Sequence, residues 1–164
     1  MRCSCACRRI RSTRSNRLDD KTGHDALAFY LAYLHPAWML SSLLLAGATL
    51  RAGLALRRAR RLGQRRSAEA YRRHLRLAKP TLVLLVVGFA GGLASTLGLR
   101  GWSAFSTAHG AVASIALASF LATGTLGWRL EHGRSHAVEW HARLAALSVL
   151  LAAAAIGTGL VLLP

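Results

Sequence analysis

Four apolar runs decide what this chain can fold into. Residues 29–56, 80–99, 104–128 and 142–163 each meet the length of roughly 20 residues that a helix needs to cross a bilayer. A chain of 164 residues with 53% hydrophobic residues and a mean hydropathy of +0.33 has too little interior to bury all four in water. Lipid is the solvent that such a composition requires. Lipid offers no partners to backbone polar groups, so each run is expected as a helix that satisfies its own. The expected fold is all-α, an integral membrane four-helix bundle with up-down topology, formed by residues 27–164 behind a basic, mobile tail of residues 1–26.

The charge is strongly basic, 22 Lys and Arg against six Asp and Glu, but it does not point to nucleic acid, because it sits between the spans. Ten of the basic residues fall in 57–79, with Glu69 the one acid among them. The positive-inside rule makes that stretch a cytoplasmic loop. Arg129, Arg134 and Arg143 put the third connection on the same face, whereas the second carries Arg100 alone, so both termini are expected opposite. Seven basic residues in the first 26 run against this orientation, yet the inner face still holds 14 against eight. The tail has no apolar core of a signal peptide. Its three cysteines, Cys3, Cys5 and Cys7, lack the two-residue spacing and second ligand pair of a zinc or iron–sulfur site.

Within the spans the informative residues are histidines. The first helix is expected to begin near Ala26 and carries His35 beside Pro36, inside an apolar run. An ionisable side chain at that depth is expensive and is read as functional. His74, His109 and His141 give one histidine to each further span. His35 lies 22 residues before Arg57, about 33 Å, and His109 lies 20 before Arg129, about 30 Å, so both sit near the outer face. His141 lies 23 residues from the C-terminus, about 34 Å, and His74 lies 26 before Arg100, about 39 Å, which places that pair near the inner face. His136 competes with His141 at a similar depth, but the two lie five positions apart and point to different faces.

A buried histidine bonded to a carbonyl would account for His35 alone, and a solvated base among Arg72, Arg73 and Arg76 would account for His74. The pairing of depths argues for all four together. Alternate helices of an up-down bundle run parallel and face each other across the core, so spans one with three and two with four each offer two imidazoles from opposite sides. That arrangement fills both axial positions of a haem iron. Gly88, Gly91, Gly92, Gly110, Gly124, Gly127, Gly157 and Gly159 let helices approach closely, or make room for a flat ligand. No internal repeat or phosphate-binding loop is visible. No span contains Asp or Glu, which sets a transporter reading last.

The segment Tyr33-Leu34-His35-Pro36-Ala37-Trp38-Met39 resembles the His-Pro-x-x-Met start of the first conserved helix in cytochrome b561-like proteins. Phe105-Ser106-Thr107-Ala108-His109-Gly110 is similar to their aromatic-Ser-x-His segment two helices later. Arg73-His74 leading to Gly88 and Gly91-Gly92 resembles their second ligand helix, and His141 with Gly157 and Gly159 resembles the last. The layout also looks like the bacterial four-helix branch of that superfamily. The resemblance implies two b-type haems, one near each face, with His35 and His109 as axial ligands of the outer iron and His74 and His141 of the inner one. It further implies a transmembrane electron-transfer oxidoreductase whose side chains perform no bond chemistry themselves. Arg73 and Arg76, with Arg72, Lys79 and Arg134, are then expected to meet the inner propionates, and Arg100, Trp102, Ser103, Ser106 and Thr107 the outer ones. The partners on this reading are membrane lipid and an electron donor and acceptor that the sequence does not specify, with a homodimer allowed. A cofactor-free membrane anchor or assembly subunit, docking through its basic loop, explains the charge but leaves His35 and His109 without a role.

Overall fold

The computed structural model describes residues 5–64, 67–98 and 107–161, with side chains from Tyr33 onward. Phe105, and the expected outer-face groups Arg100, Trp102, Ser103 and Ser106, lie outside the described residues, as do the cysteine side chains. The chain divides into a unit ending at Leu34 and a unit from His35 to Pro164, and the four span histidines all belong to the second.

Four helices follow in order: α1 (Cys5–Arg61), α2 (Ala68–Gly98), α3 (Ala108–Glu131) and α4 (Val138–Leu160). Each contains a stretch long and apolar enough to cross a membrane: Tyr33–Arg61, Ala68–Leu97, Ala108–Glu131 and Val138–Leu160. The first helix does not wait for Ala26; the expected tail is helical from Cys5 on. No proline interrupts residues 5–35, so nothing in the backbone chemistry halts the helix there. The helix-forming stretch before the second span continues into it as expected, through Pro80. Proline removes one backbone donor, and the neighbouring Thr81 hydroxyl donates to the carbonyl of Leu77 at 2.6 Å, supplying a hydrogen bond close to the break.

Both described turns close in the same way. Gly63 and Gly133 adopt positive φ (64° and 67°) just past the ends of α1 and α3. In each, a following N–H reaches back into the helix, Gln64 to Ala59 and Arg134 to Arg129, which caps orphan carbonyls with a glycine-dependent turn. Thr107 caps the start of α3, its side chain accepting from the Gly110 N–H at 3.1 Å.

The unit from His35 onward has a thin core. Ala46, Leu85, Phe120 and Ala152, one from each helix, form the buried cluster, with Leu82 and Val149 packed against it. Large apolar side chains point the other way: Leu44 is 68% exposed, Val83 60%, Ile115 58% and Leu150 68%. An apolar exterior around a small-residue interior is the packing expected of helices in lipid. Cross-contacts give the order of neighbours. Thr49 on α1 meets Thr81 on α2 at 3.0 Å, a Cβ built on Gly124 of α3 would stand 2.8 Å from Leu82 of α2, and Arg57 on α1 pairs with Glu139 on α4. Helices α1 and α3 are therefore diagonal to one another, and so are α2 and α4.

The two hairpins also repeat each other by position. Ala46 and Phe120 are 74 residues apart, and Leu85 and Ala152 are 67 apart. His35 and His109 share the first spacing and His74 and His141 the second. The expectation of no internal repeat fails here because residue identities have diverged around the core while the positions facing it have not.

Candidate functional site

Each histidine leaves its helix toward the other helix of its own hairpin, and each meets a glycine there. A Cβ built on Gly53 would stand 3.1 Å from Cε1 of His74, and one on Gly92 would stand 2.7 Å from Cε1 of His35. In the second hairpin a Cβ on Gly127 would stand 3.0 Å from His141 Cε1, and one on Gly159 would stand 2.9 Å from His109 Cε1. In all four helices the glycine follows the histidine by 18 residues, about 27 Å of helix. One rule thus sets an imidazole at one end of each span and a bare backbone patch at the other, and antiparallel pairing brings them together. The two histidine layers are separated by nearly the thickness of a hydrocarbon core.

The ring nitrogens are not equivalent. The Nδ1–H of His74 donates to the Thr49 carbonyl at 3.2 Å, that of His141 to the Thr123 carbonyl at 3.2 Å, and that of His109 to the Ala155 carbonyl at 2.8 Å. A carbonyl only accepts, so each bond fixes the proton on Nδ1 and leaves the Nε2 lone pair free for a ligand.

Across the bundle one pair meets diagonally. The rings of His74 and His141 lie 6.4 Å apart between centroids, at 87° to one another. His35 and His109 stand at the other end, beside Gly92 and Gly159. A cavity of about 610 Å³ opens beside the first pair, with Gly53, Gly127, Thr49 and Thr123 in its wall. That size falls in the range of small-molecule and cofactor sites, about 300 to 1,000 Å³. His136 also lines the cavity, but it sits in the turn before α4 and His141 faces His74 instead.

The cations at the rim differ from those expected. Arg73 and Arg76 are exposed on α2 and do not line the cavity, because positions one before and two after His74 turn away from its face. Lys79, one of the expected cations, does line it, and Arg57 and Arg60 join it there. Arg57 holds Glu139 through Nε at 3.0 Å and also through Nη2, Arg61 joins the same carboxylate at 3.0 Å, and Lys79 pairs with Glu131 at 3.3 Å. Arg134 stacks on Trp128, 5.0 Å from its ring centre.

Among the described residues no three His, Cys, Asp or Glu side chains converge on one point. Two imidazoles are too few for a tetrahedral ion held by protein alone, but they suffice for a metal that brings four ligands of its own. Sequence reading missed Gly53, the two threonine carbonyls and the Arg57 rim. The constant interval from histidine to glycine is the signal that would have found Gly53. No protein-family model, curated protein or solved structure matches the chain.

Proposed function

We propose that this chain is a membrane-spanning b-type haem protein that carries electrons between two bis-histidine haems, one near each face, with His74 and His141 holding one iron and His35 and His109 the other. The observation that carries it is the His74–His141 pair. With a metal–nitrogen bond of about 2.0 Å and a ring nitrogen about 1.1 Å from its centroid, two imidazoles on opposite sides of one ion set their centroids about 6.2 Å apart. The separation found is 6.4 Å.

The surroundings fit the same group. The cavity has the volume of a cofactor site, and glycine leaves its walls flat at the level of both rings. Arg57, Arg60 and Lys79 would hold the anionic carboxylates of the ring at the rim. Such a group supplies one-electron exchange at an iron with both axial positions filled. The chain's own part is to hold the four nitrogens, fix the tautomers of His74, His141 and His109 through Thr49, Thr123 and Ala155, and keep water out with the Ala46, Leu85, Phe120 and Ala152 layer between the sites. The basic density around the His74 end supports a cytoplasmic face there, by the positive-inside rule.

The test is haem quantified per chain, with a reduced-minus-oxidised spectrum, after purification from cells supplied with haem precursor. The expected result is two haems of b type with narrow low-spin bands. A protein that stays folded and binds none would return the reading to a cofactor-free anchor that docks through its arginines.

A further inference from the structure

We infer that a pair of cross-helix hydroxyl clips, Thr49 with Thr81 and Thr123 with Ser148, are positioning elements for the His74–His141 site, setting the strength of the Nδ1 bonds and so the electron affinity of the metal held there. This rests on the haem reading above and names what tunes one of its two sites.

The same residue does two things in each hairpin. Thr49 offers its backbone carbonyl to His74, and its hydroxyl lies 3.0 Å from that of Thr81; Thr123 offers its carbonyl to His141, and its hydroxyl lies 3.2 Å from that of Ser148, either hydroxyl of each pair being able to donate. Thr81, Thr123 and Ser148 are buried, the last at 0% exposure, and Ser119 joins Ser148 at 2.8 Å. Each hydroxyl has a carbonyl of its own helix within reach, Thr49 that of Leu45, Thr81 that of Leu77, Thr123 that of Ser119 and Ser148 that of Leu144, so with one proton apiece the member of a pair that donates across the hairpin gives up its own-helix carbonyl. Satisfying a buried hydroxyl therefore does not require the contact across the hairpin. What the crossing contact fixes is the height of one helix against its partner, and with it the length of the bond from the same threonine's carbonyl to an imidazole about two turns along α2 or α4.

The repeat carries the point further. Thr49 and Thr123 are 74 residues apart, like His35 and His109, and Thr81 and Ser148 are 67 apart, like His74 and His141. Hydroxyls stand at both members of both pairs, while the buried layer next to them has changed from Ala46 to Phe120 and from Leu85 to Ala152. The feature kept at the site in both hairpins is thus the clip and not the packing. An imidazole whose Nδ1–H is held by a carbonyl is a stronger donor to a metal, which favours the oxidised ion.

The experiment is Thr81→Val with Ser148→Ala in the full chain, compared with wild type by redox titration and by electron paramagnetic resonance of the oxidised protein. Loosened bonds are expected to move the midpoint of the His74–His141 haem positive and to change its low-spin g values. That haem should also be lost roughly tenfold faster to an acceptor such as apomyoglobin. The His35–His109 haem should keep its wild-type values, and Thr81→Ser should leave both unchanged. Unaltered midpoints and spectra, or equal changes at both haems, would overturn the inference while leaving the diheme reading intact. A wild-type protein without haem would overturn the reading beneath it. If the double variant does not accumulate, Ser148→Ala alone makes the same comparison.

Discussion

Replacing His74 or His141 by Ala is expected to abolish one low-spin haem signal and leave the other, and replacing His35 or His109 is expected to do the reverse. Removal of one axial ligand opens a coordination position, so the affected haem is either lost or converted to a five-coordinate, high-spin form. The informative variants are the doubles. Two groups that hold one metal act as a unit, and their losses do not add. His74→Ala with His141→Ala should therefore resemble either single variant. His74→Ala with His35→Ala should lose both signals. His136→Ala should keep both, since His141 and not His136 faces His74. The measurement is extracted haem per chain together with the reduced-minus-oxidised spectrum. Non-additivity between His35 and His74, neighbours in one hairpin, would sink the diagonal pairing.

The meeting of His74 and His141 was legible before any coordinates. Helix rise converts sequence separation into depth, and the up-down alternation of four spans decides which depths coincide, so that pair followed from counting residues, as did the expectation for His35 with His109. The helices were legible for the same reason, since long apolar runs in lipid have one backbone solution. The partners of each ring were not. Which carbonyl meets His74 depends on how α1 slides against α2, and that depends on Thr49, Thr81 and the glycines acting together. Of the expected rim cations Lys79 lines the cavity but Arg73 and Arg76 do not, because nearness along the chain to His74 says nothing about rotation about the helix axis, which turns those two outward, and Arg57 of α1 lies inside in their place. Glycines posed the same difficulty. Gly88 accommodates Met39 and Trp38 and Gly124 accommodates Leu82, whereas Gly47, Gly91 and Gly157 face nothing within 4 Å. Composition does not separate these roles.

That division of the glycines gives the second large effect. Gly53→Leu or Gly127→Leu should remove most of the His74–His141 haem, and Gly92→Leu or Gly159→Leu most of the His35–His109 haem, while Gly157→Leu keeps both. At the four sensitive positions even a Cβ would stand between 2.7 and 3.1 Å from an imidazole carbon. The ring must move, at an overpacking cost of about 1 to 3 kcal/mol, and for His74, His109 and His141 moving it also breaks the Nδ1 bond, worth about 1 kcal/mol. Leucine gains helix propensity of roughly 0.8 kcal/mol over glycine, which favours every one of these substitutions equally. Gly157 has open space and keeps that gain, so it should become slightly more heat-stable. The contrast separates two explanations for small residues in these spans. If glycine served only close helix packing, the variants would lose thermal stability in proportion to crowding and both haem signals would fall together. If each glycine holds the place of an imidazole, the loss follows the histidine it faces: a substitution at Gly92 of α2 removes the haem held by His35 of α1, about 27 Å away along either helix from the other site.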